Sequence, residues 1–161
     1  MAIPERIREY LDSHNVSYEP IHHPQAFASQ EVAHAMHISG KRLAKAVVLE
    51  ADGRLVMAVL LASYRLNLAE LRSKLEVQHL KMVPEDTLTE VFPDCERGAI
   101  PPFGNLYDMD VWVDRAVAES EEVTLCAGTH VDCLHMKYSD FERLSKPQVG
   151  LFADVWVGKA A

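Results

Sequence analysis

A chain of 161 residues with 48% hydrophobic side chains has the length and composition of one globular domain, here residues 1–161, with a sizeable core. No run of about 18 apolar residues occurs, the minimum for a membrane span, and the opening MAIPERIREY has no apolar stretch behind a basic one, so a soluble, cytoplasmic protein is expected. A net charge of −8 taken as a whole argues against a nucleic-acid partner, and three cysteines (Cys95, Cys126, Cys133) in a chain too large to need staples imply reduced thiols.

Pro4 suits the first turn of a helix, and Ile7, Tyr10 and Leu11 follow at helical spacing. VSYEPIHHP is interrupted by Pro20 and Pro24, so it reads as an edge strand or extended arm. Ser29 caps a second expected helix, with Val32, Ala35 and Met36 as its apolar stripe and Gly40 as its end.

AKAVVLEADGRLVMAVLLA is the strongest local pattern. Two apolar runs flank Asp52-Gly53, a pair suited to a tight hairpin turn, which predicts strands at about 44 to 50 and 54 to 62. Asn67 caps a helix through Leu68, Leu71 and Leu75, and Pro84 opens another through Leu88, Val91 and Phe92. CERGAIPPFGNLY is a loop; VWVDRAV alternates as a strand; VTLCAGTHVDCLHM supplies one or two more; Ser139 and Glu142 form a capping box. The hairpin and the irregular order of elements exclude a doubly wound parallel sheet, so a mixed, mostly antiparallel sheet packed by helices, of α/β (α+β) class, is expected.

Charge is unevenly distributed. Residues 1–83 hold 10 basic and 9 acidic groups, residues 84–161 hold 6 and 15, and Lys41, Arg42 and Lys45 cluster within five positions. Lys45 is the unusual member. An isolated lysine in a strand is ordinarily a snorkelling surface group, but this one opens a core strand after a helix-ending glycine, where a cation can bind phosphate or polarise a carbonyl. In RGAIPPFGNLY, two prolines between Gly98 and Gly104 make a stiff loop whose glycines allow close backbone approach, so its N–H groups can face a developing oxyanion. CAGTHVDCLH offers two thiols and two imidazoles, which are zinc ligand types. The spacing argues against convergence: in a strand over 129 to 136, His130 faces one side and Cys133 and His135 the other.

With these features in order, the chain resembles the YbaK/ProX family of freestanding aminoacyl-tRNA deacylases, relatives of the editing domain inserted in bacterial prolyl-tRNA synthetases. The segments that carry the resemblance are SQEVAHAMHISGKRLAKAVVL, GAIPPFG and GTH. It implies a partly barrel-like mixed sheet with the site between the lysine strand and the glycine-proline loop. The family lysine falls on Lys45, its G-x-x-x-P loop on Gly98, Ala99, Ile100, Pro101 and Pro102, and its GTH on Gly128, Thr129 and His130.

The resemblance further implies ester hydrolysis on mischarged tRNA without metal or other cofactor, often alanine or cysteine on proline tRNA. Lys45, Gly98 and Pro102 would then be catalytic. Lys41, Arg42, Ala46, Ala99, Ile100, Pro101, Gly104, Gly128, Thr129 and His130 would bind the 3′ end. Ala46 stands where some relatives have asparagine, and Pro101 where others have serine, so amino-acid preference does not transfer from a relative. The acidic second half confines tRNA contact to the Lys41/Arg42/Lys45 side, with a synthetase as a conceivable partner and no membrane. Two rivals stand beside this reading: a ligand-binding module of the same fold, and a zinc or thiol enzyme built on Cys126, His130, Cys133 and His135.

Overall fold

The computed structural model describes residues 3–23 and 43–155. The helix expected from Ser29 to Gly40, together with Lys41 and Arg42, lies outside the described residues.

The hairpin is the centre of the fold. Strands β2 (Leu43–Ala51) and β3 (Arg54–Leu61) pair antiparallel and turn on Asp52 and Gly53, both at positive φ (46° and 88°), as a two-residue hairpin turn requires. Alternation along β2 divides its side chains between two cores. Ala44 and Val48 join the main core with Met57, Val59 and Leu61, while Leu49 and Ala51 join a second cluster with Val56, Ala58, Leu71 and Phe152.

Around the hairpin lie β1 (Tyr18–His22), β5 (Leu80–Met82), β6 (Asp110–Asp114), β7 (Glu122–Cys126), β8 (Asp132–Lys137) and β9 (Gln148–Gly150). The sheet order is β1-β8-β7-β2-β3-β6-β9, with β5 also paired to β2. The β2–β7, β3–β6 and β6–β9 pairs are parallel and the rest antiparallel, which is the mixed, mostly antiparallel sheet expected. β4 (Tyr64–Leu66) and β10 (Ala153–Val155) form a separate two-stranded sheet. The edge-strand expectation holds for β1, which among the described residues pairs with β8 alone and accommodates Pro20.

Helix α1 (Glu5–Ser13) buries Ile7 and Leu11 completely. Helix α2 (Leu68–Leu75) is capped as expected, the Asn67 side chain accepting from the Glu70 N–H, and α3 (Glu85–Val91) follows Pro84. Two expectations are corrected. VWVDRAV is a strand only to Asp114, because that fully buried carboxylate accepts from the N–H groups of Ala116, Phe152 and Ala153 and turns the chain into a short helix, α4 (Arg115–Ala118). Ser139 is no cap: α5 (Tyr138–Ser145) starts directly off β8, where Tyr138 N–H donates to Glu121, so Ser139 is already inside the helix. β4, β5, β9 and β10, three residues each, and a 3-10 turn at Gly104–Tyr107 carry too little periodicity to be foreseen.

Candidate active site

The site begins as a gap in the ladder. β7 pairs with β2 only at Leu43 and Ala44, and β5 only from Leu49 to Ala51. Ala62 N–H donates to Leu43 C=O on the β3 side, and Val83 N–H donates to Val48 C=O on the opposite side. Hydrogen-bonding direction alternates along an antiparallel strand, so odd-numbered residues of β2 bond to β3 and even-numbered ones face away. The N–H and C=O of Ala46 therefore point into the opening between β7 and β5.

That opening is a cleft of about 190 Å³. Lys45, Ala46, Val47 and Val48 form one side, Gly98 and Ile100 another, Met82, Val83, Glu85 and Leu88 a third, and Cys126 closes the end of β7. The walls mix apolar side chains with polar surface, a cation and a carboxylate among it. Lys45 is half-buried, has no hydrogen-bond or ion-pair partner among the described residues, and is pushed by burial below the ordinary lysine pKa. A desolvated, unpartnered ammonium destabilises the fold unless a ligand supplies the missing charge.

The loop opposite is held from behind. Ala99 N–H donates to Glu96 C=O, closing a turn with Gly98 at φ +82°, a conformation other residues rarely adopt. Three further bonds fasten this turn to the GTH segment. Glu96 N–H donates to Gly128 C=O (2.7 Å), His130 N–H donates to the Glu96 carboxylate (2.6 Å), and His130 Nε2 donates to Arg97 C=O (2.6 Å). A carbonyl only accepts, so the proton is on Nε2. The N–H groups of Gly98 and Ile100 have no acceptor among the described residues. On the outer side, the Arg97 guanidinium lies 3.9 Å from Glu85 and also pairs with Asp86, joining the loop to the first turn of α3.

The sequence-derived candidates thus fall into separate groups. Lys45, Ala46, Gly98 and Ile100 meet in the cleft, whereas Ala99, Pro101, Pro102 and Gly104 are buried and absent from its lining. Gly128, Thr129 and His130 also stand behind the loop rather than in the cleft. Gly128 (φ +91°) leaves no room for a side chain against Pro4, and Thr129 donates to Asp132 at 2.6 Å to close its own turn. Glu85, Met82 and Val83 were not foreseen; Leu88 was read only as part of a core stripe, and Cys126 only as a zinc or thiol candidate.

The four proposed zinc ligands do not converge. The His130 ring is turned to Arg97, while His135 sits between Thr124 (2.9 Å) and Glu122 (2.8 Å). Among the described residues no three His, Cys, Asp or Glu side chains are grouped to hold a metal. Nor is any described helix long and apolar enough to cross a membrane.

Residues 23–144 match the family model described as an aminoacyl-tRNA editing domain. The chain belongs to the aminoacyl-tRNA editing domain family. Every residue lining the cleft, from Lys45 to Cys126, lies inside that editing-domain match. Relatives include a proline–tRNA ligase of Bacillus mycoides (strain KBAB4), 23% identical over 124 residues, which are 77% of this chain and 21% of that protein. A proline–tRNA ligase of Bacillus subtilis (strain 168) is 23% identical over 144 residues, 89% of this chain and 25% of that one. The chain thus spans a quarter or less of the length of these relatives. Its fold is shared with a solved structure described as a candidate trans-editing enzyme for prolyl tRNA synthetase (TM-score 0.80, 17% identity, covering 92% and 95% of the two chains). It is shared also with the hypothetical protein APE2540 (TM-score 0.84, 14% identity, covering 93% and 100%).

Proposed function

We propose that this chain is a trans-editing aminoacyl-tRNA deacylase, hydrolysing the ester between a wrong amino acid and the 3′ end of tRNA in the cleft between Lys45 and Gly98. The observation that carries this reading is Lys45, without a partner among the described residues, lining one cleft with Ala46, Gly98 and Ile100, the last two with backbone N–H groups that have no acceptor among the described residues. Membership of the editing-domain family supports the substrate class.

Lys45 binds and orients the terminal adenosine or the ester it carries. A water oxygen attacks the aminoacyl carbonyl carbon, the carbonyl electrons move to oxygen, and the Gly98 and Ile100 N–H groups receive the resulting oxyanion. Collapse expels the ribose 3′ oxygen, which takes the proton lost by water, directly or through the neighbouring ribose hydroxyl. The products are the free amino acid and tRNA. An aminoacyl ester is already activated, so alignment and oxyanion stabilisation supply enough of the barrier reduction, each donor contributing about 10²–10³ in rate in comparable sites. His130 is a positioning residue that holds the donor loop through Arg97. Pro102, the buried last residue of the loop, stiffens it.

The small cleft favours a small side chain, alanine or cysteine on proline tRNA, or serine or threonine on a related tRNA, since sterics exclude larger groups more readily than smaller ones. Lys41 and Arg42, just before Lys45 in sequence, supply basic charge for tRNA contact, and a synthetase that hands over its product is the natural protein partner. The test is deacylation of purified alanyl-, cysteinyl-, seryl- and threonyl-tRNA by wild type and Lys45→Ala. Clearance of one or two substrates by wild type and loss in the variant supports the reading. Binding of tRNA or a small ligand without hydrolysis replaces it with a catalytically inactive binding module of the same fold.

A further inference from the structure

Beside Lys45, the sheet carries two thiols that the proposed reaction does not use. Cys126 and Cys133 are direct cross-strand partners at the end of the β7–β8 ladder. The next pair outward, Ala127 and Asp132, is joined by a backbone hydrogen bond. Alternation therefore makes Cys126–Cys133 a non-hydrogen-bonded pair, the close kind, with Cα atoms about 4.5 Å apart and side chains on the same face. The next pair of that kind, Thr124 and His135, has its side chains in contact at 2.9 Å. A disulfide needs Cα atoms roughly 4.4–6.8 Å apart, so the bridge fits the register without backbone movement.

The two thiols differ in environment. Cys126 is partly exposed and lines the cleft, whereas Cys133 is fully buried, its sulfur 3.5 Å from His23 Nε2. The third thiol is a built-in contrast. Cys95 is buried on the far side of the loop against Tyr107 and Asp94, and burial pushes its pKa up to about 12, so it stays protonated and inert.

We propose that Cys126 and Cys133 form an oxidisable dithiol, in which Cys126 is a peroxide-reactive thiol opening on the cleft and Cys133 is its resolving partner. The closeness of the two thiols holds the Cys126 pKa below the ordinary cysteine value and pushes that of Cys133 above it, in keeping with this division of labour. In the first step the Cys126 thiolate attacks one oxygen of a hydroperoxide; the O–O bond breaks, Cys126 becomes a sulfenic acid, and the other oxygen leaves with a proton as water or an alcohol. In the second, the Cys133 sulfur displaces the sulfenic hydroxyl, the S–S bond forms, and the hydroxyl leaves as water with the proton from Cys133, for which His23 is within reach. Two sulfurs are oxidised by one each and one peroxide is reduced. The disulfide draws the Cys126 sulfur towards β8, away from the cleft wall beside Lys45, so the shape of the cleft follows the oxidation state. None of this depends on the deacylase reading.

The experiment treats the reduced full-length protein with hydrogen peroxide, blocks remaining thiols with an alkylating agent, and maps peptides without reduction. Wild type should yield a Cys126–Cys133 linked peptide that a dithiol reductant removes, with Cys95 recovered as a reduced thiol. In Cys133→Ser, and in Cys133→Ala should the serine variant not fold, Cys126 should instead accumulate as a sulfenic acid trapped by a cyclic 1,3-dione. The proposal is overturned if wild-type Cys126 is oxidised past the sulfenic state without the link, if it does not react while Cys95 does, or if it pairs with Cys95 or with another chain.

Discussion

His130 donates through Nε2 to the carbonyl of Arg97 at 2.6 Å, one residue before Gly98, so an imidazole outside the cleft sets the conformation of the loop inside it. Removing the ring takes the donor from a part-buried carbonyl, which costs about 1 kcal/mol and loosens the turn. His130→Ala should lower kcat at least about tenfold with a smaller change in KM, and His130→Gln, which restores an N–H donor, should recover part of it. A loss confined to KM would show direct substrate contact instead. Steady-state deacylation of both variants distinguishes these outcomes.

Lys45 should trade stability for function. Burial holds its folded pKa below the unfolded value of about 10.4, so between those two values the unfolded chain carries the extra proton and stability rises with pH. Below that interval the charged group is a constant penalty. Lys45→Met should therefore have a melting temperature at neutral pH equal to or above that of wild type, while deacylation falls at least about tenfold. Thermal unfolding and initial rates on the same preparation check both. A lower melting temperature would mean that Lys45 is paired in the fold after all.

The same shift predicts a pH limit. If the charged ammonium orients the ester, enzymatic rate, corrected for the base lability of the free substrate, should decline on the alkaline side at a pH below that of an ordinary lysine. The profile of Lys45→Arg, whose guanidinium stays charged, should lack that decline.

Gly128 tests the wall behind the loop. A β-carbon there would lie 2.5 Å from Pro4 Cδ, and its φ of +91° is strained for any L side chain. Gly128→Ala should cost about 2–4 kcal/mol, lowering the melting temperature by roughly 5–15 °C. Gly53→Ala, at a similar φ but with open space around it, should cost less. Equal losses at the two sites would show that backbone strain alone, without the Pro4 contact, accounts for the effect.

Ile100 lines the cleft from the loop side. Ile100→Ala should raise hydrolysis of larger aminoacyl esters relative to smaller ones by about 10-fold, at a stability cost of about 2–4 kcal/mol because the side chain is 8% exposed. Relative kcat/KM across the tRNA panel reads this change. A uniform fall for all esters would place Ile100 in loop support rather than in size selection.

Local chemistry made much of this protein legible from its residues. Asp52-Gly53 between two apolar runs specifies the hairpin, Asn67 its helix start, Pro20 an edge strand, and Lys45 the oddity in the central strand, because each depends on neighbours only a few positions away. The order of GKRLAK, GAIPPFG and GTH was enough to suggest the family. What the chain could not reveal by itself depends on partners far apart in sequence. That Ala46 faces an opening follows from where β7 and β5 stop pairing with β2. That His130 supports Gly98 instead of facing the cleft follows from a bond spanning 33 positions. Likewise the end of β6 at Asp114 is set by Phe152 and Ala153, 38 and 39 residues downstream, and the approach of Cys126 to Cys133 is set by sheet register. Periodicity and capping encode elements, but hydrogen-bond direction and register, which decide what faces the cleft, exist only once the strands have met.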